Sequence, residues 1–489
     1  MSAFHLLDKR RSGILLHPTS LPGPHDHGDI GHQAYRFIEF LQSSGINVWQ
    51  MLPLGPTHED RSPYQCLSVH AGDPLLISMD WLKDRGWLTP RDMNKHPVDD
   101  EIRTRSLDIA CKRFLKLKDD SYEQYRHFTR QQSSWLDDYA LFVAIRTNLK
   151  QTGWMDWPAD LRDREPDALG KARKKLKKDI ERIKFEQFVF FRQWHELKQY
   201  ANERGIFLFG DMPIFVAHDS AEVWAHRELF TIDEHGQAIT VAGVPPDYFS
   251  EQGQRWGNPL YHWDTMQQDG FSWWINRMQT QLDLFDVVRI DHFRGFEACW
   301  EIPADAETAI HGQWVRTPGY ALLEKLYASF NPLPIIAEDL GTITDEVDAL
   351  RTAFNIPGMK ILQFAFSGNP SNPYLPHNHV EDCVVYTGTH DNDTTLSWFN
   401  ALTPELQHLV KDYLGNSSEA MPWPIIRAAM ASVARLCVFP MQDILALDKG
   451  HRMNVPGTQE GNWSWRFTWQ QVPDDLASRL KYLTHLYGR

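Results

Sequence analysis

Cysteine is scarce, and what there is has no pattern. The five thiols (Cys66, Cys111, Cys299, Cys383 and Cys437) are scattered and odd in number, which leaves no disulfide framework and no zinc-type ligand spacing. Reduced, buried thiols of a cytoplasmic protein are the expectation. Long apolar runs are missing as well. No stretch reaches membrane-spanning length, and the polar segment Met1 to Gly13 lacks the apolar centre of a signal peptide. No membrane partner is expected. Positive charge is in deficit: 50 Lys and Arg against 64 Asp and Glu give a net charge of -14, which disfavours nucleic acid as the main partner. The basic run Lys171 to Lys178 is a local exception, and in so acidic a chain it reads as a solvated helix face.

What is present is enough for a large enzyme. The 489 residues are 42% hydrophobic, which supplies a sizeable core, and the 19 Trp residues allow stacking on apolar ligand faces as well as core filling. Short apolar runs ending in polar or turn residues alternate with helical stretches. They are Gly13 to Leu16, Val48 to Leu54, Ile206 to Pro213, Phe285 to Asp291, Pro334 to Asp339, Lys360 to Phe366, Cys383 to His390 and Leu436 to Ile444. Strands alternating with helices imply parallel βαβ units, and eight of them predict an α/β fold closed as a (β/α)8 TIM barrel, a single catalytic domain over residues 1–489. The spacing predicts a mostly helical insertion over 81–204, between the second and third strands. A second insertion, over 218–275, carries a loop with Pro246, Tyr248, Phe249 and Trp256 that is placed to act as a lid. The tail after the eighth strand is too short for a C-terminal β-sandwich domain.

The stretch Asp286-Val-Val-Arg-Ile-Asp-His-Phe-Arg-Gly295 carries the chemistry. Along a strand Arg289 and Asp291 face the same way, and a guanidinium so placed keeps the carboxylate ionised and oriented. Alone, this reads more readily as a structural ion pair at a strand end. Two further strand ends carry carboxylates, Glu338 and Asp391. Glycoside chemistry needs two such groups, one nucleophile or base and one acid. Asp291 beside Arg289 fits the nucleophile. Glu338, after the apolar run Ile335-Ile336-Ala337 and next to Asp339, fits the acid, because burial and like charge both raise a carboxyl pKa. Asp391, between His390 and Asn392, can hold sugar hydroxyls. A metal site built on Asp211, Asp291, Asp391, His292 and His390 competes with this reading, but Arg289 in the same cluster repels a cation. Neither a metal nor a cofactor is expected.

Taken together these residues resemble the amylomaltase family of 4-α-glucanotransferases, relatives of the α-amylase clan. The motifs span nearly the whole chain: Gly13-Ile-Leu-Leu-His-Pro-Thr-Ser-Leu-Pro22, Ser62-Pro-Tyr-Gln65, Gly210-Asp-Met-Pro213, the loop from Val244 to Tyr261, and Arg289-Ile-Asp-His-Phe-Arg-Gly295. Ala337-Glu-Asp-Leu-Gly341, Thr389-His-Asp-Asn392, Arg452-Met-Asn454 and Gly461-Asn-Trp463 follow. The resemblance implies a retaining transfer of α-1,4-glucan segments to glucose or another glucan, with Asp291 as nucleophile, Glu338 as acid/base and Asp391 as transition-state stabiliser. It implies that Asp211, Arg289, His292 and His390 surround the transferred sugar, with Tyr64 stacking on it. Ser62 and Asn462 are implied on the acceptor side, and Trp256 in the lid. Phe364 and Phe366 are expected on one strand face, with one of them bordering the site. One departure stands out: His58-Glu-Asp-Arg61 occupies the place where the family often carries Gly-Tyr-Gly-Asp, so a secondary glucan site resting on that Tyr is not carried over.

Two other readings use the same residues. One is an α-amylase-type hydrolase, against which the short tail argues. The other is a catalytically silent glucan-binding barrel, against which the full set of three carboxylates argues.

Overall fold

The eight apolar runs all form strands, and the strands form one parallel sheet. The computed structural model describes every residue except 1–6, 24–26, 94–99, 118–119, 247–249 and 459. Twelve strands occur among the described residues: β1 (Arg11–Leu15), β2 (Val48–Gln50), β3 (Phe207–Pro213), β4 (Thr240–Val244), β5 (Gln254–Pro259), β6 (Val287–Asp291), β7 (Ala298–Pro303), β8 (Gln313–Arg316), β9 (Ile335–Ala337), β10 (Gly358–Ile361), β11 (Cys383–Tyr386) and β12 (Leu436–Pro440). Eight of them run in the order β10-β11-β12-β1-β2-β3-β6-β9, and each pairing in that sheet is parallel.

The two edges meet at a seam. Ala337 N–H donates to Pro357 O at 2.8 Å, and the Asp339 carboxylate accepts Met359 N–H at 2.6 Å. A side chain thus completes the closure between β9 and β10, giving a (β/α)8 barrel. Leu15, Val48, Phe209, Val287, Ile336, Ile361, Val384, Tyr386 and Val438 fill its interior, and helices cover the outside with a second, larger apolar layer. Gly210 is required by that outer packing, since a Cβ there would lie 2.1 Å from the Phe285 ring.

Between β2 and β3 lies a helical array dominated by Asp100–Leu117, Ser133–Asn148 and the 27-residue helix Lys177–Glu203. The long helix is tied to the barrel by polar bonds as well as by packing. Gln187 exchanges two hydrogen bonds with the backbone of Gly72, Gln193 does the same with Ser78, and Trp194 Nε1 donates to Leu284 O at 2.8 Å. In the basic run, Lys171, Arg173, Lys174, Lys175, Lys177 and Lys178 are exposed, while Ala172 and Leu176 turn inward. No helix of the described residues is long and apolar enough to cross a membrane.

Two expectations change. The 218–275 segment is not simply loop and lid. It contributes β4 and β5 to a four-stranded antiparallel sheet, in the order β5-β4-β7-β8, which it completes with strands that follow β6. Trp256 therefore sits on a paired strand, and Tyr248 and Phe249 lie outside the described residues. Nor do Phe364 and Phe366 share a strand face: β10 stops at Ile361, and Leu362–Phe364 winds into a 3-10 turn. That turn sends Phe364 to the barrel mouth and Phe366 into the core against Trp398 and Tyr413.

Candidate active site

The register of two neighbouring strands assembles the charged centre. In the β3–β6 pair, Asp211 lies opposite Arg289 and Pro213 opposite Asp291. Alternation then turns Asp211, Arg289 and Asp291 to one side. Arg289 bridges both carboxylates, with Nη1 donating to Asp211 Oδ2 at 2.5 Å and Nη2 to Asp291 Oδ1 at 2.7 Å. Tyr64 O–H donates to the same Asp211 oxygen at 2.7 Å. Asp211 is fully buried, and removing it leaves one arm of the buried Arg289 guanidinium and the Tyr64 O–H without their acceptor. Asp211→Ala is expected to cost about 3–5 kcal/mol, read as a lowered midpoint in urea unfolding with an unchanged slope.

Glu338 follows β9 and continues its ladder, its N–H donating to Ile290 O at 3.0 Å. Its carboxyl is gripped by backbone: His292 N–H donates to Oε2 at 2.8 Å and Leu340 N–H to Oε1 at 3.1 Å. The first of these exists because His292 adopts a left-handed conformation (φ 55, ψ 49) that ends β6 abruptly. A non-glycine residue pays roughly 1–2 kcal/mol for that backbone, so the turn is held by its surroundings. The residue after Asp291 thereby orients the second carboxyl. Asp391 comes from the loop after β11, its Oδ2 lying 3.3 Å from His390 Nε2.

These groups open on a cleft of about 500 Å³. Ser62, Tyr64, Trp256, Arg289, Asp291, His292, Glu338 and Asp391 all line it. Asp211 and His390 stand behind this wall and support it. The Tyr64 ring stacks on His390, with centroids 5.3 Å apart and planes 13° apart, so one face of Tyr64 is already occupied. Trp256 meets the His292 ring edge-on at 4.8 Å. Asn462 does not line the cleft. Its side chain accepts Val455 N–H at 2.9 Å and donates to Thr458 O at 2.9 Å, so it staples the loop on which it sits. The neighbouring Trp463 reaches the cleft instead, 5.8 Å from Tyr64 and 6.0 Å from His390 between ring centroids. Sequence reasoning also missed Phe215, Arg294, Trp314 and Asn454 in the wall. Arg294 lies in a quoted motif and Asn454 in another, but no spacing rule says which way either points.

The electrostatics set the two central carboxyls apart from ordinary surface acids. Burial pushes Asp291 up; Arg289 opposes it, and Asp211, Glu338 and Asp391 add to it. Burial likewise pushes Glu338 up to about 7, with Arg289 opposing, Asp339 adding and the two backbone N–H groups opposing. Two such groups titrate as a pair. The shared proton belongs on Glu338, because Asp291 takes a guanidinium N–H at 2.7 Å and its side chain is still 29% exposed to the cleft. Burial lowers His292 to about 3, so its imidazole is neutral, and its buried Nε2 has no partner among the described residues. Burial also lowers His390, against the pull of Asp391. The arrangement offers one anionic carboxylate, one protonated carboxyl and a third carboxylate around a space for a neutral, hydroxyl-rich ligand. Among the described residues no group of three or more His, Cys, Asp or Glu is arranged to hold a metal ion.

Comparisons with known proteins converge on one family. The family model described as 4-alpha-glucanotransferase matches residues 16–471. The chain is 49% identical over 499 residues to a 4-alpha-glucanotransferase of Synechocystis sp., covering 99% of each chain. It is 48% identical to a 4-alpha-glucanotransferase of Thermus thermophilus, covering 98% of this chain and 99% of that one. The solved structure of an amylomaltase from Streptococcus agalactiae in complex with acarbose matches with a TM-score of 0.95 at 38% identity, covering 98% of this chain and 100% of the other.

Proposed function

The chain belongs to the 4-α-glucanotransferase family and moves α-1,4-glucan segments between chains, and we propose that Asp291, Glu338 and Asp391 carry out the two displacements. Asp291 attacks the anomeric carbon of the bound donor while Glu338 protonates the departing glycosidic oxygen. The leaving chain departs with a free 4-hydroxyl, and the transferred segment stays as a glycosyl ester on Asp291. Glu338, now a carboxylate, then takes the proton of an acceptor 4-hydroxyl. That oxygen displaces Asp291, and the α configuration returns after two inversions. Asp391, His292 and Arg289 face the transferred sugar, and Asp211, Tyr64 and His390 hold them in place. Neither the α-amylase-type hydrolase nor the silent barrel is favoured by this membership. The reading rests above all on Arg289 bridging Asp211 and Asp291, with Glu338 fixed by the N–H of the residue after Asp291.

Maltooligosaccharides serve as donors in this reading, and glucose or a second maltooligosaccharide as acceptor. Maltotriose incubated with the protein should give free glucose together with maltotetraose, maltopentaose and longer chains, at constant reducing-end concentration. Glucose and maltose alone, with rising reducing ends, would refute it. A cytoplasmic site of action also belongs to this reading, supported by five unpaired thiols, four of them buried.

Transfer beats hydrolysis when the acceptor is held and water is kept out. A bound, oriented hydroxyl reaches effective molarities of roughly 10⁵–10⁸ M, far above that of water. Trp256, on β5 beside His292, is the aromatic wall placed to do this. Trp256→Ala is expected to raise the ratio of hydrolysis to transfer by about tenfold, equivalent to roughly 1.4 kcal/mol between the two barriers. An unchanged ratio of new reducing ends to disproportionation products would remove this role.

A further inference from the structure

Asp391 is the least buried of the three carboxylates, its side chain 44% exposed, and it does not stand on a strand. β11 stops at Tyr386, and the loop that follows must hold Asp391 by other means. From one side Asp443 does part of this. It is buried and accepts Thr387 Oγ1 at 2.5 Å, Thr395 N–H at 2.7 Å and Thr395 Oγ1 at 2.6 Å, pinning both ends of the loop.

From the other side comes the segment that follows β12. Arg452 Nη2 donates to the Asp391 carbonyl at 2.7 Å, and its Nε to the Asn454 carbonyl at 3.1 Å. Asn454 N–H donates to the His390 carbonyl at 3.1 Å, and its side-chain Nδ2 to Asp391 Oδ1 at 2.7 Å. One guanidinium therefore clamps two backbones together, and the amide so placed takes one carboxylate oxygen. The other oxygen, Oδ2, beside His390 Nε2, is the one left for substrate.

We propose that Arg452 and Asn454 are positioning residues for Asp391, fixing the rotamer of an exposed carboxylate so that Oδ2 meets the sugar at the transition state. This rests on the role given to Asp391 above. Packing cannot set a side chain that open to the cleft, and a displacement of about 1 Å at a reacting centre can cost 10²-fold. The effect should fall on kcat, because the contact is strongest at the transition state.

The test compares Asn454→Ala, Asn454→Asp, Asp391→Ala and the double variant Asn454→Ala/Asp391→Ala, on maltotriose and on an α-maltosyl fluoride donor. Asn454→Ala should lower kcat about 100-fold on both donors, with KM for maltotriose within about threefold of wild type. Asn454→Asp keeps the volume but loses the donor, and should fall at least as far; near wild-type turnover there would reduce Asn454 to a space-filling role and overturn the inference. In the Asp391→Ala background, Asn454→Ala should add less than about threefold, since the two act as one unit. Multiplicative losses, or a loss confined to maltotriose, would also overturn it. Failure of the underlying reading looks different: Asp391→Ala itself would then turn over near wild type.

Discussion

Asp291→Asn is expected to abolish glucan transfer, lowering kcat on the order of 10⁴-fold or more, while the fold and the cleft survive. The amide is nearly the size of the carboxylate, so Arg289 keeps an acceptor at the position of Oδ1, where Nη2 now donates at 2.7 Å. What disappears is the anion that forms the glycosyl ester, and among the described residues of the wall nothing replaces it. Asp391 is tethered by Asn454, Glu338 must spend its turn as an acid, and Asp211 is buried behind Arg289. Stability should not suffer. The folded chain holds the Asp291 carboxyl above its unfolded value, chiefly through burial. A carboxyl raised in this way costs folding free energy as pH climbs from the unfolded pKa through the folded one. Replacing it with a neutral amide removes that cost at neutral pH, so the melting temperature should stay level or rise by a few degrees, a common trade at active sites. Residual turnover near wild type in a maltotriose assay would sink the nucleophile assignment. A drop in melting temperature would show that the ion pair with Arg289 outweighs the crowding.

How much of this the chain declares in advance depends on what kind of physics fixes each part. All eight barrel strands were readable because an interior strand is apolar on both faces and announces itself as a short run, as Val384-Val385-Tyr386 does. Their ends were not, because Leu362 is as apolar as Ile361; only the 3-10 turn at Leu362–Phe364 separates them, and it puts Phe364 rather than Phe366 in the cleft. The second sheet was invisible for a different reason. β4 pairs with both β5 and β7, whose partners come from either side of β6 in the chain, and local periodicity carries no such long-range pairing. In the site, the shared face of Arg289 and Asp291 was legible from alternation. The bridge to Asp211 depended on a register between strands that no single stretch encodes. Asn462 and Trp463 sit next to each other in one motif, and the left-handed turn at Trp463 (φ 61) gives the cleft to the aromatic ring and the loop to the amide.

The acid is the sharper test, because its effect depends on what leaves. Glu338 has its pKa lifted to about 7, first by burial and then by Asp339, against Arg289 and the N–H groups of His292 and Leu340. In the first displacement it must be protonated while Asp291 is ionised, so kcat/KM for maltotriose should be bell-shaped in pH, both limbs belonging to the Asp291–Glu338 pair, which burial raises above the ordinary carboxylate range. Glu338→Gln removes the proton donor without moving the grip of the two backbone N–H groups. General acid catalysis contributes roughly 10²–10⁴-fold, and the whole of it is needed for a sugar alkoxide. The loss on maltotriose should therefore sit at the upper end of that range. A fluoride leaving group needs almost none of it. With an α-maltosyl fluoride donor the variant should release about one fluoride per enzyme quickly and lose the alkaline limb of the first step. It should then stall, because no base remains to take the acceptor proton. The glycosyl ester on Asp291 should accumulate to a level that intact-protein mass spectrometry resolves. Equal losses on both donors, or an alkaline limb that persists in the variant, would take the acid role away from Glu338 and leave the proton with another group in the cleft.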